Sequence, residues 1–224
     1  MRESPYRLVV FDMDGVLFDY VSSWKWVHDV MEVDNSHNLQ LFKDGKIDEA
    51  EFIRRDVALW KTVKPDMSIN DVNDALRNMP IIDGLQETIA TLRYNDITSV
   101  IVSGGIDIAA KRIALGFDFD DYAANTLITN GDGTLAGEGI LNVDLSDKGI
   151  RMREFMAHYG VPKEETVAIG NSFVDVKMFE NAGFSIAFNP IDDEVIRGAD
   201  VTVESRNIAD ILDHIMVPRN RSSA

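Results

Sequence analysis

Cysteine is absent from the chain, which excludes disulfides, thiolate metal sites and a cysteine nucleophile. Positive charge is scarce: 22 Lys and Arg stand against 38 Asp and Glu, a net charge of −16. Such a surface repels nucleic-acid phosphates and anionic lipid, so neither nucleic acid nor membrane is expected as a partner. An anionic metabolite would be repelled too, unless its site supplies local positive charge. No apolar run approaches the ~20 residues that span a bilayer. The acidic FDMD also cuts the N-terminal apolar stretch too short for a signal peptide, and a cytoplasmic location is expected. Repeats are missing, and only the tail PRNRSSA reads as disordered. No coiled-coil pattern marks an oligomer, which leaves a monomer or homodimer.

What is present alternates. Strand-like runs YRLVVF, ITSVIV (97–102), TVAIG (166–170), FSIAF (184–188) and ADVTV (199–203) are separated by amphipathic stretches such as GLQETIATLRYN and DKGIRMREFMAHYG. Short apolar strands alternating with helices imply an α/β protein with a Rossmann-like, doubly wound parallel sheet covered on both faces. Ligands of such sheets bind beyond the carboxyl ends of the strands, where strand order reverses. Residues 122–143 break the alternation and read as a β-hairpin around the turn NGDG. Residues 18–79 break it further, with helical periodicity in EAEFIRRDVALWKTV and SINDVNDALRNM. The expected organisation is a core of residues 1–17 plus 80–224 and a small helical cap, 18–79, inserted after the first strand as a lid.

Four short motifs fall where core strands end or helices begin. In LVVFDMDG, Asp12 and Asp14 lie i, i+2 at a strand end, so both carboxylates face one small volume. They cap a turn, share a proton, or bind a hard cation such as Mg²⁺. VSGG follows the second core strand, with Ser103 offering a hydroxyl and Gly104 and Gly105 expected to open the next helix as an anion site. Lys148 in LSDKG starts a helix, and GNSFVD carries Asn171 and Asp175 one turn apart.

In these motifs and their order the sequence resembles the haloacid dehalogenase-like superfamily of phosphohydrolases, in its phosphoserine phosphatase branch. The resemblance runs from about Tyr6 to Met216 and includes Gly45–Lys46 in the cap, VSGGIDIA, and MFENAGFSIAFNP at 178–190. It implies a phosphomonoester hydrolase of a small phosphorylated metabolite. Asp12 would be the nucleophile that becomes an aspartyl-phosphate, and Asp14 the acid and base. Ser103, Gly104, Gly105 and Lys148 would hold the phosphoryl group. Mg²⁺ would sit on Asp12, the carbonyl of Asp14, and Asn171 and Asp175.

The chain departs from that branch in places. Asn171 stands where a metal-binding aspartate is usual, and Val174 where asparagine is common. Val21 replaces a glutamate that receives the substrate's ammonium, and Asp56 replaces a cap arginine for its carboxylate, with Arg54 and Arg55 as neighbours. A substrate other than phosphoserine is therefore expected, with phosphoserine itself as the alternative. A phosphotransferase or mutase and a catalytically impaired binding protein are further readings. The cap offers Trp24, Trp26, His28 and Trp60 as core residues or as walls for an apolar leaving group, while His37, His158 and His214 read as structural.

Overall fold

A computed structural model describes residues 2–218; apart from Pro218, the tail expected to be disordered lies outside the described residues. The core is a seven-stranded sheet of β1 (Leu8–Phe11), β2 (Thr98–Ile106), β3 (Asp121–Thr129), β4 (Leu135–Ile140), β5 (Thr166–Gly170), β6 (Phe184–Phe188) and β7 (Val201–Val203). Their order is β4-β3-β2-β1-β5-β6-β7, and every neighbouring pair is parallel except β3 with β4. A short antiparallel pair, Arg2–Glu3 with Val217–Pro218, lies outside this sheet.

β1 is the central strand, and all four of its residues are buried. Alternation along it sends Val9 and Phe11 to one face and Leu8 and Val10 to the other. The first face is covered by α5 (Leu85–Tyr94) and α6 (Asp107–Phe117), through Leu85, Ile89, Ile113 and their neighbours. The second is covered by α7 (Gly149–Tyr159) and α8 (Val176–Asn181), through Met152, Phe155, Met178 and Phe179. Two-sided burial explains why LVVF is continuously apolar rather than alternating. Successive strands run outward from β1 to β3, then β5 returns to the other flank of β1. That reversal opens a crevice beyond the carboxyl end of β1.

Between β1 and α5 the chain forms α1 (Ser23–Val30), α2 (Ser36–Lys43), α3 (Glu49–Val63) and α4 (Ile69–Leu76). It leaves and returns through a paired neck: Asp19 N–H donates to the Pro80 carbonyl at 2.9 Å, and Ile82 N–H to the Leu17 carbonyl at 3.0 Å. We propose this neck as the boundary between a cap of residues 18–79 and the core. The apolar faces of α1, α3 and α4, through Val27, Val57, Trp60 and Val72, join the same core cluster as Phe11. The hairpin turn closes through Gly133 N–H to the Asn130 carbonyl. The hairpin also reaches the inserted helices, with Leu135 N–H on the Met67 carbonyl and Ile69 N–H on the Gly133 carbonyl.

One expectation fails. Gly104 and Gly105 do not open a helix: they extend β2, whose register with β3 shifts between Val102 and Ile106, and α6 starts only at Asp107. The bulge keeps the backbone extended until Ile106, so the anion site expected at a helix start is instead a strand end.

A second bridge joins the inserted helices to the core. Glu49, in the first turn of α3, accepts the Leu145 N–H on Oε1 at 2.9 Å. Its Oε2 is sealed and, while ionised, has no hydrogen-bond partner. Burial above all, with the Asp144 and Asp48 charges added, pushes the Glu49 carboxyl up to about 7. A proton there gives Oε2 a bond to Asp144. A carboxyl whose pKa is raised by folding supports the closed bridge below its ordinary range and loses that support as pH rises to about 7. The exchange protection of the Leu145 amide, corrected for intrinsic rate, should fall by up to ~10-fold per pH unit between roughly pH 5 and 7. Glu49→Gln should flatten this dependence by keeping both bonds, and equal slopes in the two proteins would show that Glu49 is not the titrating group.

Candidate active site

Parallel register brings the motif residues level. Phe11 is paired with Ile101 of β2 and Ile169 of β5, so the next residues along these strands carry Asp12, Ser103 and Asn171 to the same end of the sheet. Asp12 is anchored there by its N–H, which donates to the Ile169 carbonyl at 2.8 Å.

Lys148, the residue before α7, is buried at 1% exposure between two carboxylates. Its Nζ lies 2.9 Å from Asp12 Oδ1 and 2.7 Å from Asp175 Oδ1. Burial disfavours the ammonium, but Asp12 and Asp175 outweigh it and raise its pKa. Asp175 Oδ2 turns back to accept the N–H groups of Asn171 at 2.9 Å and Ser172 at 3.1 Å. Both of its oxygens are thus engaged within the protein, and here Asp175 orients Lys148 and the 171–175 turn.

Asp12 uses only Oδ1, which also takes the Met13 N–H at 2.7 Å. Burial first, then the charge of Asp175, hold its carboxyl up at about 7 against the pull of Lys148. Asp14 is partly exposed as a residue, yet its Oδ1 is sealed from solvent without a hydrogen-bond partner among the described residues. Burial raises its pKa to about 6, opposed by bonds from Ser23.

Do these groups fit a divalent cation? Asp12, Asp14 and Asp175 crowd around Lys148, and that ammonium leaves net negative charge in a site that water reaches poorly. Asp14 Oδ1 is orphaned, and Asp12 Oδ2 has no protein hydrogen bond among the described residues. Among the described residues no group of three or more His, Cys, Asp or Glu is placed to hold a metal ion. A cation here would therefore rest on few carboxylates plus neutral oxygens, which suits Mg²⁺ with its retained waters. Asn171 lies against the same turn: Gly15 has φ +77°, and a Cβ there would stand 2.0 Å from the Asn171 amide nitrogen. The glycine thus lets the DMDG turn and the GNS turn close on each other.

Ser103 is buried, and its Oγ accepts the Gly105 N–H at 3.1 Å, leaving its proton for a ligand. The Gly104 carbonyl is held by Trp24 Nε1 at 3.0 Å and Asn125 Nδ2 at 3.3 Å. Trp24 therefore reaches the site's edge, and it stacks on the fully buried Trp60. Trp60 Nε1 donates to His28 Nδ1, and His28 Nε2 lies 3.5 Å from Asp56. Trp26 instead bonds the Ala75 carbonyl. Arg54 and Arg55 both pair with Glu51, and Val21 is half exposed. Ser23 and Asn125, both buried and both hydrogen-bonded to motif residues, went unnoticed in the sequence. A serine and an asparagine with ordinary local context carry no periodic signal.

Residues 9–180 match the haloacid dehalogenase-like hydrolase family. The chain belongs to that family, in its phosphoserine phosphatase-like branch, and is an enzyme of the phosphatase class. It is 31% identical over 218 residues to phosphoserine phosphatase of Methanocaldococcus jannaschii, covering 95% of this chain and 99% of that one. A substrate-bound phosphoserine phosphatase complex superposes with a TM-score of 0.79 at 28% identity, covering 94% and 98% of the two chains. A phospho-aspartyl intermediate analogue of phosphoserine phosphatase gives 0.78 at 29%, covering 96% and 100%.

Replacing Lys148 by methionine removes the cation from this buried cluster, and breaking a buried pair costs ~3–5 kcal/mol. Lys148→Met should lose about that much unfolding free energy near pH 8 in EDTA. The loss should shrink toward pH 5, because Asp12 is then protonated. Denaturant titrations at the two pH values check this, and an equal loss at both would contradict the charge argument.

Proposed function

We propose that this phosphatase is a Mg²⁺-dependent phosphomonoester hydrolase working through an aspartyl-phosphate on Asp12. The observation that carries this reading is Asp12 itself: one oxygen is bound to Lys148, and the other has no hydrogen bond among the described residues, at the carboxyl end of the central strand. Asp12 Oδ2 forms a bond to phosphorus while the bond to the leaving oxygen breaks. Asp14 gives that oxygen a proton, then takes one from the water that splits the acyl-phosphate, which restores Asp12 and releases phosphate. Ser103, the backbone at Gly104 and Gly105, and Lys148 hold the phosphoryl oxygens in a preorganised frame. Asp12, the Asp14 carbonyl and Asn171 would hold Mg²⁺, which neutralises charge on the transferring group when bound. Asp175 serves by orienting Lys148.

The relatives support phosphoserine as the substrate better than they support a different one, since they are named phosphoserine phosphatases. Phosphoserine is therefore the substrate we infer. One observation favours the other reading: Asp56 is turned inward to His28 rather than toward the crevice, and Arg54 and Arg55 are occupied by Glu51. Phosphate release from phosphoserine and a panel of other small phosphomonoesters with Mg²⁺ separates the two. Asp12→Asn should abolish release from all of them. A mutant that retains turnover would refute the nucleophile, and a better substrate than phosphoserine would shift the assignment.

Asn171 supplies a neutral oxygen where a carboxylate would add charge. Asn171→Asp should lower the Mg²⁺ concentration needed for half of the metal-induced rise in melting temperature, by about tenfold if the added charge contributes ~1.4 kcal/mol. An unchanged or higher concentration would remove Asn171 from the metal's surroundings.

A further inference from the structure

Ser23 is fully buried at the start of α1, the first inserted helix, and joins three separate pieces of the site. Its N–H and its hydroxyl both donate to Asp14 Oδ2, at 2.8 and 2.9 Å. The same hydroxyl oxygen accepts the Ile106 N–H at the end of β2, at 3.0 Å. A hydroxyl carries one proton. With its oxygen already accepting from Ile106, that proton is fixed on Asp14. Both donors fall on one carboxylate oxygen, so the other, Oδ1, is left unpartnered and sealed.

Gly105 belongs to the same device. A Cβ at that position would stand 2.7 Å from Asp14 Oδ2 and 2.7 Å from Ser23 Oγ, closer than real Cβ atoms come. The second glycine of VSGG is required to make room for the Ser23–Asp14 contact, whatever the backbone does for a phosphate.

We infer that Ser23 is a positioning residue for the phosphatase reaction: it pins Asp14 by one oxygen so that the other is the single oxygen that exchanges a proton with the leaving group. The inference rests on the proposed acid role of Asp14. A residue that aims an acid matters when the leaving oxygen is basic and needs its proton, and matters little when the leaving group departs as a stable anion.

The test compares kcat/KM, which reports the steps up to departure of the leaving group and so precedes the water attack in which Asp14 is the base, for phosphoserine, or another alkyl phosphate turned over by the wild type, with kcat/KM for p-nitrophenyl phosphate. Ser23→Ala, Ser23→Thr, Gly105→Ala and Asp14→Asn are measured with Mg²⁺, with melting temperatures recorded for each. Ser23→Ala should lose about tenfold or more on the alkyl ester, a part of the ~10²–10⁴ that general acids supply, and less than about threefold on the aryl ester. Gly105→Ala, which also disturbs the phosphoryl-binding backbone, should lose activity on both esters and more on the alkyl one, and Ser23→Thr, which keeps the hydroxyl, should recover most of the alkyl activity. An equal loss on both esters in Ser23→Ala would overturn the positioning role and leave a structural one. If Asp14→Asn shows the selective loss while Ser23→Ala does not, the inference fails and the acid role stands. If Asp14→Asn is itself indifferent to the leaving group, the acid role fails, and the inference with it.

Discussion

The site is organised around a single buried ammonium. Lys148 lies within ion-pair distance of Asp12 and Asp175 with almost no exposure to water. An isolated charge there would be expelled or neutralised, because burial penalises the ionised form. Two carboxylates against one ammonium reverse that penalty for the lysine and overshoot it for the cluster. The residual negative charge raises the Asp12 carboxyl and gives a divalent cation a reason to bind. The placement of Lys148 also depends on distant sequence, since Asp175 is oriented by the N–H groups of its own turn.

The inserted helices do more than cover the crevice. They touch the catalytic end of the sheet at three points: Ser23 on Asp14 and Ile106, Trp24 on the Gly104 carbonyl, and Glu49 on the Leu145 N–H shortly before Lys148. Each contact falls on a motif residue or on a loop that carries one. Movement of the helices would therefore change the geometry of Asp14, the VSGG strand end and the loop to Lys148 together. A helical insert coupled in this way can tie substrate enclosure to completion of the site.

Trp24, partly buried, and Trp60, His28 and Asp56, all buried, form a run from the Gly104 carbonyl inward. Asp56 faces His28 within the helices, with Nε2 3.5 Å from its Oδ2, while its Oδ1 has no hydrogen-bond partner among the described residues. That arrangement is unlike a pocket that offers a free cation to a carboxylate, whereas the relatives' names point to phosphoserine.

Much of this was legible in the chain itself. LVVF, TVAIG and FSIAF announced a sheet buried on both faces because such strands need continuous apolar runs. Asp12, Asp14, Ser103, Lys148, Asn171 and Asp175 stood out because strand ends and helix starts are where a doubly wound sheet gathers chemistry. Other features depend on tertiary structure. The glycines of VSGG read as a helix opening, but pairing of β2 with β3 keeps them extended. The partners of Lys148 are 136 and 27 residues away in sequence (148 − 12 and 175 − 148) and meet only through strand register. Ser23, Asn125 and Glu49 are joined to Asp14, Gly104 and Leu145 by hydrogen bonds that span 9, 21 and 96 residues, and no local period or spacing encodes a bond of that kind. Local sequence determined which elements form and which polar residues stand at their ends. Packing determined which oxygen each carboxylate keeps free.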